Sequence, residues 1–362
     1  MPVIFFTVTT DLTYDQRMIR ICSSLAQAGY TVILTGRKTR RSAALTRMPY
    51  TQKRLSCFFE KGKLFYAEYN IRLFFYLLTK KMDGICAVDL DTILPCLWIS
   101  KIKKVPRIYD AHELFCEMKE IVSRKPVYRI WKWIERNTVP QFKYGYTVNK
   151  QIAAEFEKMY GNHFGVIRSI ARYDAPLQDQ EKERYILYQG AVNEGRSFET
   201  LIPAMQWVDA QLIVCGDGNF MQQARQLVTR YQLEEKVLFK GMIPPGELKQ
   251  YTAKAYIGIT LFEKGALSNY FSLANRFFDY IHAATPQLCV DYPVYREINN
   301  LHPVAVLVED LAPEIIAQQL NDLLADQKKW STLHENCKIA AKTLNWQNEE
   351  ITLLAFYKNI FG

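Results

Sequence analysis

The sequence predicts an α/β protein built as two doubly wound halves in series, and three observations predict it. The chain is 362 residues long, more than one ordinary hydrophobic core organises. Short β-branched or aromatic runs alternate with segments of helical period along most of its length, a pattern that requires parallel strands with helices on both faces. The alternation breaks at residues 167–183, where polar residues and Pro176 interrupt it, and then begins again. The expected divisions are residues 1–168, residues 184–340, and a closing helix over 341–362.

In the first half, residues 3–8 read as a strand and residues 14–28 as a helix whose Met18, Ile21, Cys22 and Leu25 share one face. Gly29 ends that helix in the left-handed position, and a strand follows at 31–34. Residues 57–59 and 64–67, separated by Glu60-Lys61-Gly62-Lys63, read as a hairpin. A strand at 85–88, a helix at 92–102, a strand at 107–109, a helix at 128–137 and a strand at 144–148 complete this half. In the second half strands are expected at 185–189, 211–215, 237–239, 257–261 and 287–290. Helices are expected at 198–207, 221–231, 246–251 and 275–284, with a helical tail from Ala312 to Phe361. Doubly wound sheets bind ligands beyond the carboxyl ends of their strands, so two such halves facing across a cleft make that cleft the expected site.

Composition narrows the class. Apolar residues at 49% and charged residues at 23% fit a globular protein and exclude a disordered one. The eight cysteines form no C-x-x-C pair, and several lie in apolar runs, which fits a reduced, cytoplasmic setting. Residues 3–8 have no basic segment before them and read as a core strand, not a signal peptide. Apolar stretches such as 73–78 are far too short to cross a bilayer, so any membrane contact is peripheral. The net charge of +9 is unevenly spread: residues 1–170 hold 28 Lys/Arg and 14 Asp/Glu, residues 171–362 hold 18 and 23. A basic half joined to a mildly acidic one suggests modules that meet different partners.

Four segments carry chemistry. Tyr188-Gln189-Gly190-Ala191-Val192-Asn193-Glu194-Gly195-Arg196-Ser197-Phe198 reads as strand, turn, cation, helix start. Free amides at a helix start together with an Arg suit a diphosphate; a plain strand–helix turn with a solvated Arg has the same pattern. In the stretch from Leu267 to Tyr280, Ser268 and Asn269 are possible N-caps, and Asp279 could accept from ribose hydroxyls; alternatively Phe277, Phe278 and Ile281 are simply core and Asp279 pairs with a neighbour. At Asp110-Ala111-His112-Glu113 an Asp, a His and a Glu stand together at a strand end, where they could bind sugar hydroxyls or move a proton, or be a capping Asp beside an incidental His. Cys215-Gly216-Asp217-Gly218 lacks the third glycine of a dinucleotide motif, since Met221 stands there, and reads as a turn. Asp89-Leu90-Asp91 has the spacing of a metal-binding pair but reads as a loop. Arg37, Lys38, Arg40, Arg41, Arg47, Lys53 and Arg54 have no acidic residue between them, as in a solvated loop or a surface for anionic lipid or a diphosphate-linked acceptor.

Taken in order, these segments resemble the large retaining GT-B family called group 1 glycosyltransferases. The resemblance is strongest from Tyr185 to Tyr292. Tyr188 to Arg196 looks like that family's opening C-domain motif, and Leu212-Ile213-Val214-Cys215-Gly216-Asp217-Gly218 is similar to its second strand and turn. Val237-Leu238-Phe239-Lys240-Gly241 matches the strand before its base-binding loop. Ala274-Asn275-Arg276-Phe277-Phe278-Asp279-Tyr280 looks like its signature helix. Asp15-Gln16-Arg17 and Asp110-Ala111-His112-Glu113 resemble segments common in its polysaccharide-assembly branch, and Asn345-Trp346 starts a helix that in this fold returns to the N-domain.

The resemblance implies two Rossmann-like domains and transfer of a sugar, with retention, from a nucleotide-diphosphate sugar to a glycan or lipid-linked acceptor. It places Gly190, Ser268, Asn269, Tyr270, Asn275, Arg276, Asp279 and Gly241 at the donor, and His112, Arg196 and Asp110 at the reaction. No metal and no cofactor beyond the donor is expected. Arg37, Lys38, Arg40, Arg41 and Arg47 form the acceptor or membrane patch of a cytoplasmic protein at the inner face of the membrane. Nucleic acid is not an expected partner, because the basic charge lacks a recognition motif. The sequence departs from the family at two places. Phe271 stands where the first of two glutamates is usual, with Asp279 at the second, and Ala191 stands where the first of two phosphate-binding cations is usual. A nucleotide-sugar epimerase or phosphorylase, or a non-catalytic GT-B partner subunit, are the alternative readings.

Overall fold

The computed structural model describes residues 1–13, 15–40, 42–173 and 180–362. The chain forms two compact units, Met1–Ser169 with Asn348–Gly362, and Ile170–Gln347. Pro176, within the interruption expected at 167–183, lies outside the described residues.

Unit 1 runs β1 (Val3–Thr7), α1 (Gln16–Gln27), β2 (Thr31–Lys38), β3 (Thr51–Ser56), α2 (Gly62–Leu78), β4 (Gly84–Val88), α3 (Ile93–Lys103), β5 (Arg107–Ala111), α4 (Lys119–Val122), α5 (Lys125–Thr138), β6 (Tyr144–Thr147), α6 (Lys150–Tyr160) and β7 (Gly165–Val166). All its strand pairs are parallel, in the order β3-β2-β1-β4-β5-β6-β7. The order reverses between β1 and β4, both nearly continuous apolar runs buried on two faces. Asp15 caps α1 by accepting from the Met18 amide at 3.1 Å, and Met18, Ile21, Cys22 and Leu25 are buried together as the period required.

Unit 2 runs β8 (Glu183–Gln189), α7 (Phe198–Ala204), β9 (Gln211–Cys215), α8 (Met221–Arg230), β10 (Val237–Gly241), α9 (Pro245–Lys254), β11 (Ala255–Thr260), α10 (Leu267–Tyr270), α11 (Asn275–His282), β12 (Gln287–Val290), α12 (Pro293–Leu301), β13 (Ala305–Val308), α13 (Pro313–Ala325) and α14 (Gln327–Ala341). Its sheet is also parallel, in the order β10-β9-β8-β11-β12-β13, and reverses between β8 and β11. The last helix, α15 (Trp346–Phe361), belongs from Asn348 onward to unit 1. There Tyr357 packs on Phe6 and Tyr146, with ring centroids 6.0 and 6.3 Å away.

Two expectations fail. No hairpin forms at 57–67: its second arm is the first turns of α2, and the chain before it is β3, added in parallel to β2. Phe65 and Tyr69 are buried one helical turn apart, so helical spacing, not alternation, puts the apolar side chains inside. The tail is not one helix; it breaks at Asp326, which caps α14 by accepting from the Lys329 amide, and again before Trp346.

One close approach ties the ends of the central strands of unit 2 together. A Cβ at Gly216, after β9, would overlap the carbonyl of Gly190, after β8. The glycine in Cys215-Gly216-Asp217-Gly218 is therefore required by one turn lying on another. Gly216→Ala should destabilise the protein by about 1–3 kcal/mol through overpacking, read as a lower urea midpoint. Gly246→Ala, in open space on α9, should change the midpoint little or raise it.

Candidate functional site

In unit 2 the charged candidates collect where β8 and β11 end, the point at which strand order reverses. Strand β8 carries Gln189 to its last position, and Gly190 then turns the chain with φ 122°. The loop that follows reaches Arg196, whose guanidinium lies 4.6 Å from the ring centroid of Phe262, just past β11. Arg196 Nη1 also donates to Asn269 Oδ1 at 3.4 Å. The loop is held to that strand end by the Glu263 amide, which donates to the Gly195 carbonyl at 3.0 Å.

Arg276 approaches the same ring. Its guanidinium lies 4.6 Å from the Phe262 centroid and 4.7 Å from that of Tyr188. Nε donates to the Ile259 carbonyl at 3.1 Å, while Nη2 is buried without a hydrogen-bond partner. A Cβ on Gly190 would come within 3.5 Å of Nη1. Among the described residues no carboxylate pairs with Arg276, which is only 8% exposed. Burying a charge without a counter-charge is costly. Two guanidiniums on one aromatic ring, one with an open N–H, are what an entering anion would satisfy.

Asp279 stands beside this cluster because Gln189 links them: Gln189 Nε2 donates to Asp279 Oδ2 at 2.9 Å, and Thr252 Oγ1 donates to Gln189 Oε1 at 2.6 Å. Gly241, with φ 68°, accepts from the Gly216 amide at 2.8 Å, which connects the end of β10 to the Gly190 turn. Asn275 is the exposed first residue of α11. Ser268 and Asn269 do not cap a helix: Ala266 holds that position, and both lie inside α10. Ser268 is buried in the first turn of α10, and Asn269 joins the cluster through Arg196. Tyr270 is half-buried against Tyr292, with ring centroids 5.0 Å apart. Phe271, at the family's usual glutamate position, is half-buried beside Tyr270, with centroids 5.1 Å apart.

Unit 1 gathers a second cluster at the ends of β4 and β5. Asp110 is fully buried on β5 and paired with buried Arg17 at 2.8 Å. Burial alone would raise its carboxyl pKa, but Arg17 and then His112 outweigh this and hold it low, at about 2. His112 follows β5. Its Nδ1 is 3.2 Å from Asp89 Oδ2, and its backbone amide donates to Asp89 Oδ1 at 2.9 Å. Its Nε2 lies 3.4 Å from Asp110 Oδ2, close enough for Coulomb attraction, yet it is buried and makes no hydrogen bond. Burial opposes the cation, but Asp89 and then Asp110 overcome it and raise the imidazole to about 10. The Nε2–H of the charged imidazole is thus directed toward Asp110. Below Asp89, burial first and Asp89 second raise Asp91 to about 7, while the Thr9 hydroxyl donates to it.

Sequence reasoning missed Asp89, Asp91, Gln189 and Phe262 as members of these clusters. The signal for Asp89 was its place directly after an apolar strand. It has a left-handed φ of 56°, uncommon for a residue with a Cβ, which lets its carboxylate reach His112.

The basic stretch divides on inspection. Arg37 packs on Phe65, 4.9 Å from the ring centroid, and donates to the Glu60 carbonyl. Arg54 is bound to Asp11 at 2.6 Å. Lys38, Arg40 and Arg47 are exposed, with Arg40 3.7 Å from Glu60. Arg41 lies outside the described residues. The expected loop is partly strand, since β2 continues to Lys38 and β3 contains Lys53 and Arg54.

Comparison with known proteins places unit 2. Residues 169–343 match the model of the family described as glycosyl transferases group 1. That match spans nearly the whole of unit 2. Among solved structures, sucrose-phosphate synthase from Thermosynechococcus elongatus superposes with a TM-score of 0.82 at 16% identity, covering 100% of this chain and 99% of that one. HepE from Anabaena, in complex with UDP and glucose, gives 0.76 at 14% identity, covering 99% and 100%. WaaG, a glycosyltransferase involved in lipopolysaccharide biosynthesis, gives 0.75 at 16%, covering 99% and 100%. The whole chain therefore has the GT-B fold of two Rossmann-like units. No curated protein matches it in sequence. Among the described residues no group of three or more His, Cys, Asp or Glu is placed to hold a metal ion, and no helix is long and apolar enough to cross a membrane.

The His112 cluster makes a titration measurable. A raised folded-state pKa stabilises the fold fully below the unfolded value near 6.5, and that stability is lost as pH rises through about 10. NMR of the imidazole should show His112 still cationic at neutral pH. Asp89→Asn should lower its midpoint by about 1–3 units; an unmoved midpoint would contradict the assignment of Asp89.

Proposed function

We propose that the chain transfers a sugar, with retention and without a metal ion, from a nucleotide-diphosphate sugar to a glycan or lipid-linked acceptor of the cell envelope. The observation that carries this reading is the buried, uncompensated guanidinium of Arg276 beside Arg196 on the Phe262 ring. In the reaction the bond from the anomeric carbon to the diphosphate oxygen breaks, and its electron pair goes to the diphosphate. Arg196 and Arg276 meet that growing charge, which is generally the largest catalytic effect. Arg276 would supply the second cation that Ala191 does not.

The other donor contacts follow from the same reading. Gly190 lets the diphosphate approach the backbone, and Asn269, Tyr270 and Asn275 border it. Ser268, in the first turn of α10, borders it with its backbone amide. Asp279, oriented by Gln189, takes the ribose hydroxyls, and Gly241 opens the loop for the base. In unit 1, His112 contacts the donor sugar, with Asp110 and Arg17 fixing the surrounding charge. The exposed Lys38, Arg40 and Arg47, with Arg37 and Arg41 of the same stretch, would meet the acceptor. A lipid-linked acceptor would bring a cytoplasmic protein to the inner membrane face. The UDP, UDP-glucose and UDP-with-glucose complexes of HepE make UDP the first nucleotide to test.

One observation favours a second reading. Phe271 in place of the usual glutamate fits a partner subunit that binds a nucleotide sugar without transferring it.

Calorimetry with UDP and GDP, followed by NMR of the product's anomeric configuration, separates these readings. Binding with a retained product supports the enzyme, and binding without turnover over a panel of donors and acceptors supports the partner subunit. No binding at millimolar nucleotide removes both. Arg276→Met should weaken UDP binding about 10–100-fold, the loss expected for hydrogen bonds to a charged group. It should cost about 1 kcal/mol of stability or less, because relief of a buried charge offsets the missing cation–ring attraction. Arg196→Met should lower turnover about 10²–10³-fold, by analogy with losing one oxyanion donor.

A further inference from the structure

Helices that cover a sheet ordinarily turn polar side chains outward. On α2 the outward stripe is apolar: Leu64, Ile71, Phe75 and Leu78 recur at helical spacing and are all exposed, Ile71 at 58% and Phe75 at 62%. On α3, Trp98 at 49% and Ile102 at 56% stand one turn apart. The helices form one surface, because Phe74 of α2 meets Trp98 edge-on at 6.1 Å and Lys103 Nζ donates to the Leu78 carbonyl at 2.9 Å.

The charge around these groups is mostly positive, with Asp83 accepting from the Val3 amide. Arg72, Lys81, Lys101 and Lys104 are exposed. The single acid of α2, Glu68, accepts from the amides of Phe58 and Phe59 and from Arg72 Nε, and α3 contains no acid. Aromatic and aliphatic side chains ringed by cations suit the interface of an anionic bilayer, where the apolar groups enter the headgroup boundary and the cations meet phosphates. A second copy of the chain would bring like charges face to face.

We propose that the α2–α3 face is a membrane-docking surface that inserts Ile71, Phe75, Trp98 and Ile102 into an anionic lipid headgroup layer. It gives the membrane contact of the proposed function a surface of its own, distinct from the stretch at 37–54. It rests on that reading only for its biological purpose, since docking requires neither donor nor transfer.

Flotation of the full chain with vesicles of phosphatidylcholine, with and without phosphatidylglycerol, tests this at low and high salt. The protein should float with the anionic vesicles at low salt and remain behind with phosphatidylcholine alone. Phe75→Ser/Trp98→Gln/Ile102→Ser should cut the partition coefficient at least about tenfold. Each of Lys101→Gln and Lys104→Gln should cut it about fivefold. Lys249→Ser/Lys328→Ser/Lys329→Ser, exposed charges of α9 and α14 that belong to neither α2 nor α3, should leave it within about twofold. Thermal melting and UDP calorimetry on each variant report folding and donor binding separately, so failure of the donor reading and failure of the docking face give different results. The proposal is overturned if the wild type ignores anionic vesicles, or if the triple apolar variant floats as the wild type does. It is equally overturned if sedimentation shows a dimer that this variant abolishes.

Discussion

The guanidinium of Arg276 is taken out of water with no carboxylate paired to it among the described residues, and the carboxyl end of the unit 2 sheet is arranged around that fact. Two rings, one backbone carbonyl and a glycine turn surround it. Cation–ring contacts return some of the missing hydration, on the order of 1–2 kcal/mol each, but they do not neutralise the charge. A protein optimised only for stability would pair such a group or replace it with a hydrocarbon side chain. Holding it open keeps an electrostatic field in place before an anion arrives, so little reorganisation is needed on binding.

The parallel sheets explain why this field and the His112 cluster occupy equivalent places in their units. Parallel neighbours must be connected by crossovers, so every strand-to-helix loop leaves at the same edge. Where strand order reverses, two adjacent loops part in opposite directions and leave room between them. In unit 2 the parting loops carry Arg196 and Phe262. In unit 1 they carry Thr9 and the pair Asp89 and Asp91. The two environments then act oppositely on their charges. Unit 2 leaves a cation without a counter-ion, whereas unit 1 surrounds His112 with carboxylates and fixes it in the protonated form.

The sequence displayed the alternation of strands and helices because burial on both faces of a parallel strand leaves an apolar run of about four residues, as in Ile85–Val88 or Leu212–Cys215. It concealed β3, whose residues Thr51–Ser56 are polar except Leu55, because an edge strand needs no two-sided burial. It also concealed α2, where exposed Ile71 and Phe75 blur the boundary between the inner and outer faces. Arg196 and Arg276 were legible as cations near turns. What stayed hidden was their meeting at Phe262, a contact between segments far apart in sequence that only the register of β8 with β11 brings about. Asp89 was hidden for a related reason: its function depends on a left-handed backbone that no residue pattern announces.

The excess of positive charge in unit 1 is therefore not one feature. Arg17 neutralises Asp110 in the core, Arg37 lies on Phe65, and Arg54 is held by Asp11; these cations are internal structure that happens to raise the net charge. Lys101 and Lys104 differ, because α3 holds no acid to balance them and Trp98 and Ile102 are exposed beside them. A solvated surface has no reason to expose Trp98 among lysines, and a self-associating one has reason to avoid the lysines. Both features are favourable together only against a surface that is negative at its boundary and apolar beneath it.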